Sequence, residues 1–384
     1  MTTSQTGPAG TEIRPFRVEI PQAALDDLHQ RLARTRFPAP APDDSWDFGT
    51  PVGYLQEMVA HWRDDFDWRA QEDRMNQYPH FRTEIDGQTI HFIHVRSAES
   101  DATPLLLTHT YPGSFADFLD MIEPLTDPVA HGGRPEDAFH VVIPSIPGFG
   151  FSTPVVGRWD WTRVADAFDT LMRRLGYDSY GAHGSDAGAI VSRELAIRNP
   201  EGFLGAHVLQ LFSFPSGDPA EFAKLSEKDH AALEFLGWFQ TVGGYNTMNG
   251  SRPQTVAVAL SDSPVGQLAY NELFENFGNG TSLVSWEHVL TQVSLYWLTN
   301  TSASAARYHY ETARSGAEPV VNDGPIGLAM FADDFKSIRP FAERDNTNIV
   351  HWAEYDRGGH FASMEVPDLV VGDLRDFYGD RRRG

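Results

Sequence analysis

Apolar positions recur at helical spacing in two early segments, Pro21 to Arg36 and Pro51 to Trp68, and the proline-rich stretch Pro38 to Pro42 separates them. Residues 13 to 80 therefore read as helices and loops. From His80 the period shortens: His80 to Ile85, Thr89 to Val95, Pro104 to Thr108 and Phe139 to Ile143 are short runs rich in strand-forming residues. Tyr180 to Gly184 repeats that signal. Ala187 to Arg198 then follows a helical period that ends before Asn199 and Pro200, giving strand, tight turn and helix. Between Phe212 and Arg314 the pattern is helical and aromatic-rich, and strand signals return at Ile326 to Phe331 and Ile349 to Glu354.

Strands alternating with helices on both sides of a helical block predict an α/β class: a core with a mostly parallel central sheet and an inserted helical lid. The divisions fall at residues 1–80, 81–211, 212–318 and 319–384, as N-terminal meander, first core part, cap and second core part. No internal repeat is present, which sets aside solenoids and propellers.

Composition narrows the function. A hydrophobic share of 41%, with 25 Phe and 9 Trp, can build a large core and line an apolar pocket. The formal charge of -23 repels phosphate backbones and anionic lipid, so neither nucleic acid nor a membrane surface is an expected partner. The basic run Arg381, Arg382, Arg383 reads as a solvated tail. With no cysteine, disulfides, thiolate metal sites and a cysteine nucleophile are excluded together. Met1 to Glu12 lacks the pattern of a signal peptide, and no apolar run approaches the roughly 20 residues that span a bilayer, so a soluble, cytoplasmic chain is expected. The oligomeric state is left open, a homo-oligomer included.

The sharpest chemical signal is Gly184-Ser185-Asp186-Ala187-Gly188 at the join of strand and helix. A nucleophile elbow strains its central residue and tolerates only small neighbours, which puts Asp186 at the tip. Ser185 lacks a glycine at either flanking position. A bare Gly-x-Asp-x-Gly is more often a plain turn; the strand before it and the helix after it reverse that weighting. A nucleophilic carboxylate forms an ester, which needs a base and an acid to orient it. Gly358-Gly359-His360-Phe361 supplies the base after the last strand, and either Asp333 or Asp334 can orient it. The loop His109-Thr110-Tyr111-Pro112-Gly113-Ser114 stands where such folds donate one oxyanion-hole amide, here from Tyr111, and the residue after the nucleophile, Ala187, gives the other. No ligand cluster of metal-binding spacing is present, so no metal or cofactor is expected.

In this order the motifs resemble those of the microsomal-type epoxide hydrolases of the α/β-hydrolase superfamily, over nearly the whole chain. The resemblance rests on Phe16-Arg17-Val18 with Leu28, Arg31, Leu32 and Trp68, on Pro144 to Ser152, on Arg252-Pro253-Gln254-Thr255, on Leu260 to Gly266, and on Gly358 to Ala362 with Glu365 and Pro367. It implies that Asp186 is the nucleophile, His360 the base, Asp334 rather than Asp333 the orienting acid, and Tyr245 one of two cap groups that hydrogen-bond the epoxide oxygen.

Three departures follow. The loop usually carries Gly-Trp where Thr110-Tyr111 stand, the elbow usually carries Trp at Ala187, and the second cap tyrosine is replaced by His309, with Tyr308 and Tyr310 on either side. A histidine near its ordinary pKa of about 6.5 is a cationic donor only in acid. Phe212, Phe214, Trp238, Phe239, Tyr296 and Trp297, with Tyr308 and Pro112, are the expected pocket aromatics and walls, pointing to a bulky apolar or aromatic epoxide as the small-molecule partner. With 3 Lys among 30 basic residues the chain also resembles hydrolases of actinomycete antibiotic pathways, hence a natural-product epoxide. A dehalogenase is the nearest rival, but Ala187 brings no side-chain donor for halide. A catalytically silent binding protein is the other.

Overall fold

The computed structural model describes residues 11–381 except 279, 282 and 317, so the readings made of residues 1–10 and of Arg382 and Arg383 lie outside the described residues. One sheet runs through the molecule: β1 (Arg14–Phe16), β2 (His80–Ile85), β3 (Gln88–Val95), β4 (Thr103–Thr108), β5 (Phe139–Pro144), β6 (Tyr180–Gly184), β7 (Phe203–Val208), β8 (Ile326–Met330) and β9 (Ile349–Glu354). The spatial order is β1-β2-β3-β5-β4-β6-β7-β8-β9. β1, β2, β3 and β5 pair antiparallel, and everything from β5 to β9 is parallel, so the sheet is mostly parallel as expected.

Local sequence explains these elements. Asp86 and Gly87 both take positive φ, the requirement of the tight hairpin that joins β2 to β3. Leu105, Leu106 and Leu107 of β4 are each fully buried, because a central parallel strand is covered on both faces and reads as a continuous apolar run. Two strands are not visible in the pattern. β1 is three residues long, too short to show alternation, and β7 carries Gly205 in its middle, which dilutes its strand signal. Within the expected stretch Pro51 to Trp68 the helix is Val52–Asp64, and a second helix not foreseen in the pattern, Trp68–Met75, starts at its end because the Asp67 carboxylate accepts the amides of Arg69 and Ala70.

Between β7 and β8 lies the cap, whose helices include Glu227–Val242, Gly244–Ser251, Pro253–Asp262, Trp286–Thr299 and Ser302–Ala313. The N-terminal helices tie it down. Trp62, fully buried, donates its indole N–H to Ser294 Oγ at 3.1 Å, and the Arg31 guanidinium donates to the Asp262 carbonyl at 2.7 Å. Tyr245 and His309 of this insertion pack on Tyr111, just past the C-terminal end of β4, the side on which open α/β sheets place their ligands.

Candidate active site

Asp186 stands between β6 and the helix Ala187–Arg198 with φ 50° and ψ −115°, a conformation that costs a non-glycine residue about 1–3 kcal/mol. Close packing holds it there. A Cβ on Gly184 would lie 2.3 Å from the Gly188 backbone, and one on Gly188 would lie 1.9 Å from the Thr108 carbonyl oxygen. The two glycines are thus required by contact, and the elbow is pressed against the end of β4. Ser185 is buried and takes no part in the cavity described below.

The Tyr111 amide donates to Asp186 Oδ1 at 2.9 Å. The Ala187 amide opens the following helix, where first-turn N–H groups have no intrahelical acceptor. The Tyr111 loop is braced from below by Asp117, which accepts from the Thr110 amide at 3.0 Å, the Thr110 hydroxyl at 2.8 Å, the Ser114 amide at 3.1 Å and Gln292 Nε2 at 2.8 Å. Burial pushes the Asp117 carboxyl up to about 6 despite these donors.

His360 lies beyond β9 after Gly358, which takes φ 88°. The amides of Gly359 and Phe361 both donate to the Glu365 carboxylate and shape the turn. His360 Nδ1 meets Asp334 Oδ1 at 2.8 Å, and the ring is 4% exposed. Burial alone would lower its pKa; the Asp334 charge and hydrogen bond, then Asp186 and Glu365, outweigh burial and raise it to about 9. Asp333 is exposed, its amide spent on the Gly358 carbonyl at 2.9 Å, so of the two acids only Asp334 reaches the imidazole.

The cap contributes from above. The Tyr245 ring stacks on Tyr111 at 6.0 Å and lies 5.9 Å from the His309 ring, which in turn meets Tyr111 edge-on at 4.7 Å. Burial, and then the Asp186 charge, hold the Tyr245 hydroxyl well above the usual tyrosine range. Burial lowers the His309 pKa, with the Asp186 charge and the Ala306 carbonyl offsetting only part of it. Tyr308 is turned away, its hydroxyl donated to the Pro147 carbonyl at 2.9 Å and its ring stacked on Trp161 at 4.5 Å. Tyr310 lies under the Arg314 guanidinium at 3.9 Å.

A cavity of about 250 Å³ reaches Asp186 past Tyr111, Phe149, Trp161, Tyr308 and His309. Of the expected pocket residues only Tyr308 lines it. Trp238 packs on Phe235 at 5.4 Å near the surface, Phe212 stacks on Phe214 at 6.4 Å, and Pro112 is buried inside the loop. Tyr296 clamps that loop by donating to the Gly113 carbonyl at 3.0 Å, and Trp297 packs on Arg31 at 5.2 Å. None of these side chains lines that cavity: those of the cap pack its own apolar faces instead.

One central connector carries no motif: Gln210, just past β7. Its Oε1 accepts the Asp186 amide at 2.7 Å and its Nε2 donates to Asp334 Oδ2. It links the elbow to the acid behind His360. Asn249 similarly donates to the Tyr111 hydroxyl at 2.9 Å and accepts from Tyr270 at 2.7 Å. Buried amide side chains leave no spacing signature, and only their three-dimensional partners disclose them.

A parallel sheet, an elbow residue at positive φ, a histidine after the last strand and a helical insertion together define the α/β-hydrolase class. A family model described as alpha/beta hydrolase fold matches residues 103–272, and one described as epoxide hydrolase N terminus matches residues 13–118. A chain from Stigmatella aurantiaca that carries epoxide hydrolase in its name is 43% identical, over 96% of this chain and 86% of that one. Epoxide hydrolase 1 of Sus scrofa is 34% identical, over 97% and 90%. The solved Aspergillus niger epoxide hydrolase superposes with a TM-score of 0.84 at 30% identity, covering 97% of each chain. The chain belongs to the epoxide hydrolase family.

Proposed function

We propose that this enzyme converts an apolar epoxide to a vicinal diol through an ester on Asp186. The observation that carries the reading is the unequal treatment of the two Asp186 oxygens: Oδ1 is held by the Tyr111 amide, whereas Oδ2 lies 3.8 Å from His360 Nε2 with no hydrogen bond between them. Oδ2 attacks a ring carbon, the C–O bond on that carbon breaks, and the departing oxygen takes a proton from Tyr245, with His309 as a second donor. Oδ1 becomes the carbonyl oxygen of the ester, already held by the Tyr111 amide, with the Ala187 amide as the second donor as negative charge develops on it.

The proton count closes. At neutral pH His360 starts protonated. Esterification removes the Asp186 charge, one of those holding that proton, and the proton passes to the Tyr245 phenolate and leaves a neutral imidazole. Oriented by Asp334, His360 then takes a proton from water as the water oxygen attacks the Asp186 Cγ. Collapse re-forms the carboxylate, and the second water hydrogen leaves on the diol.

A single turnover in 18O-labelled water tests the reading. Label is expected in the Asp186 carboxylate and not in the first diol; label entering that diol directly means that water, not Asp186, opens the ring.

A further inference from the structure

The cavity that reaches Asp186 opens beside the cap helices Gly244–Ser251 and Ser302–Ala313. Its mouth lies at Asn246, Thr312 and Ala313, all exposed, and it ends at the carboxylate. Neither His360 nor any residue behind it lines the channel. On that far side the space is filled by rings. Tyr245, which meets Tyr111 and His309, also lies 6.4 Å from Phe239. Phe239, Phe277 and Phe335 pack mutually with centroids 4.8 to 5.5 Å apart, and Phe277 lies 5.0 Å from the His360 ring.

Phe277 is a forced member of this wall. It takes φ 60°, between Asn276 at 50° and Gly278 at 83°. A bulky side chain seldom adopts the left-handed region, and such outliers persist only where the surroundings fix them. Phe277 is 4% exposed, so its burial among the rings holds the strained backbone in place.

Resting on the ring-opening reading above, we infer that the site selects epoxides substituted on one ring carbon only, and that Phe239 and Phe277 set this selectivity. With the epoxide oxygen at Tyr245 and His309 and one ring carbon in line with Asp186 Oδ2, the substituent of one carbon runs out along the channel. The other carbon faces the phenylalanine wall. A hydrogen fits there; an alkyl group must displace packed rings. Rejection of one added group by a packed apolar wall amounts to roughly 10- to 100-fold in kcat/KM.

Styrene oxide and trans-β-methylstyrene oxide differ by one methyl on the second ring carbon and form the test pair. The parent enzyme is expected to favour styrene oxide by about 10- to 100-fold. Phe277→Ala and Phe239→Ala are each expected to shrink that ratio about tenfold or more, with the rate on the methylated substrate rising in absolute terms. Because the readout is a ratio, a general loss of stability cancels, and Phe239→Ala carries the test if Phe277→Ala does not fold. Parent rates within about threefold of each other, or variants that lose both activities in proportion, overturn the inference. A parent that opens neither epoxide overturns the ring-opening reading itself.

Discussion

His360 Nε2 stands 3.8 Å from Asp186 Oδ2, too far for a hydrogen bond yet near enough for each charge to act on the other. The Asp186 carboxylate is one of the groups that raise His360 to about 9. Asp186→Asn is therefore expected to lower the His360 pKa, read by an NMR pH titration of the ring. The linkage has a definite sign. A histidine whose folded pKa lies above its unfolded value of about 6.5 adds stability that is fully present below 6.5 and lost as pH rises through 9. Between those limits Asp186→Asn should lose less stability than the parent. An unmoved titration would mean that the two groups do not communicate across the gap.

In the proposed mechanism, replacing His360 separates the two chemical steps. His360→Gln keeps Asp186 and its Tyr111 amide but cannot activate water, so the covalent ester is expected to accumulate and turnover to fall by about a thousandfold or more. Intact-protein mass spectrometry should show the enzyme plus one substrate mass. Normal turnover without adduct would reduce His360 to a structural role.

The neighbours Tyr308 and His309 should separate cleanly. Tyr308→Phe removes the hydrogen bond to the buried Pro147 carbonyl, costing about 1–3 kcal/mol of stability and little in ring opening. His309→Phe should leave stability nearly intact and slow ester formation by about 10- to 100-fold. Because burial lowers the His309 pKa, the neutral ring is the expected donor in the proposed mechanism, and the ester-forming rate should stay level as pH rises through 6.5. Stopped-flow rates against pH check both halves; a fall near 6.5 would restore the cationic form as the donor.

Gln210→Leu strips a donor from Asp334 and an acceptor from the Asp186 amide. Each buried group left unpaired costs about 1–3 kcal/mol, so the denaturant midpoint should fall clearly. Ester hydrolysis should slow about tenfold, more than ester formation, since in the proposed mechanism Asp334 orients the base for the second step alone. Equal slowing of both steps would make Gln210 a support for the elbow only.

The elbow was legible because contact distances forbid side chains on Gly184 and Gly188, and such a constraint writes itself directly into residue type. His360 was legible for a related reason, its turn needing Gly358 at positive φ. The choice of Asp334 over Asp333 depended on resemblance, since in sequence the two acids are equivalent and only burial tells them apart. The pocket walls are harder to read from sequence. Aromatic residues in the cap satisfy two demands, packing and lining, and sequence cannot say which demand a given ring meets. Phe277 and Phe335 lie outside every helical or strand period, so nothing in the pattern marks them as neighbours of His360.

The separation of sheet edge from cap sets how this protein can be reshaped. Asp186, Asp334, His360 and Gln210 are anchored to strand ends, where main-chain contacts as tight as that between Gly188 and β4 leave almost no tolerance for change. Tyr245, His309, Phe239 and Phe277 belong to the insertion, fixed by ring packing that can be exchanged one side chain at a time. Repertoire can drift in the upper layer while the lower layer keeps the same reaction, so new substrates are reached by rewriting the roof and leaving the foundation alone.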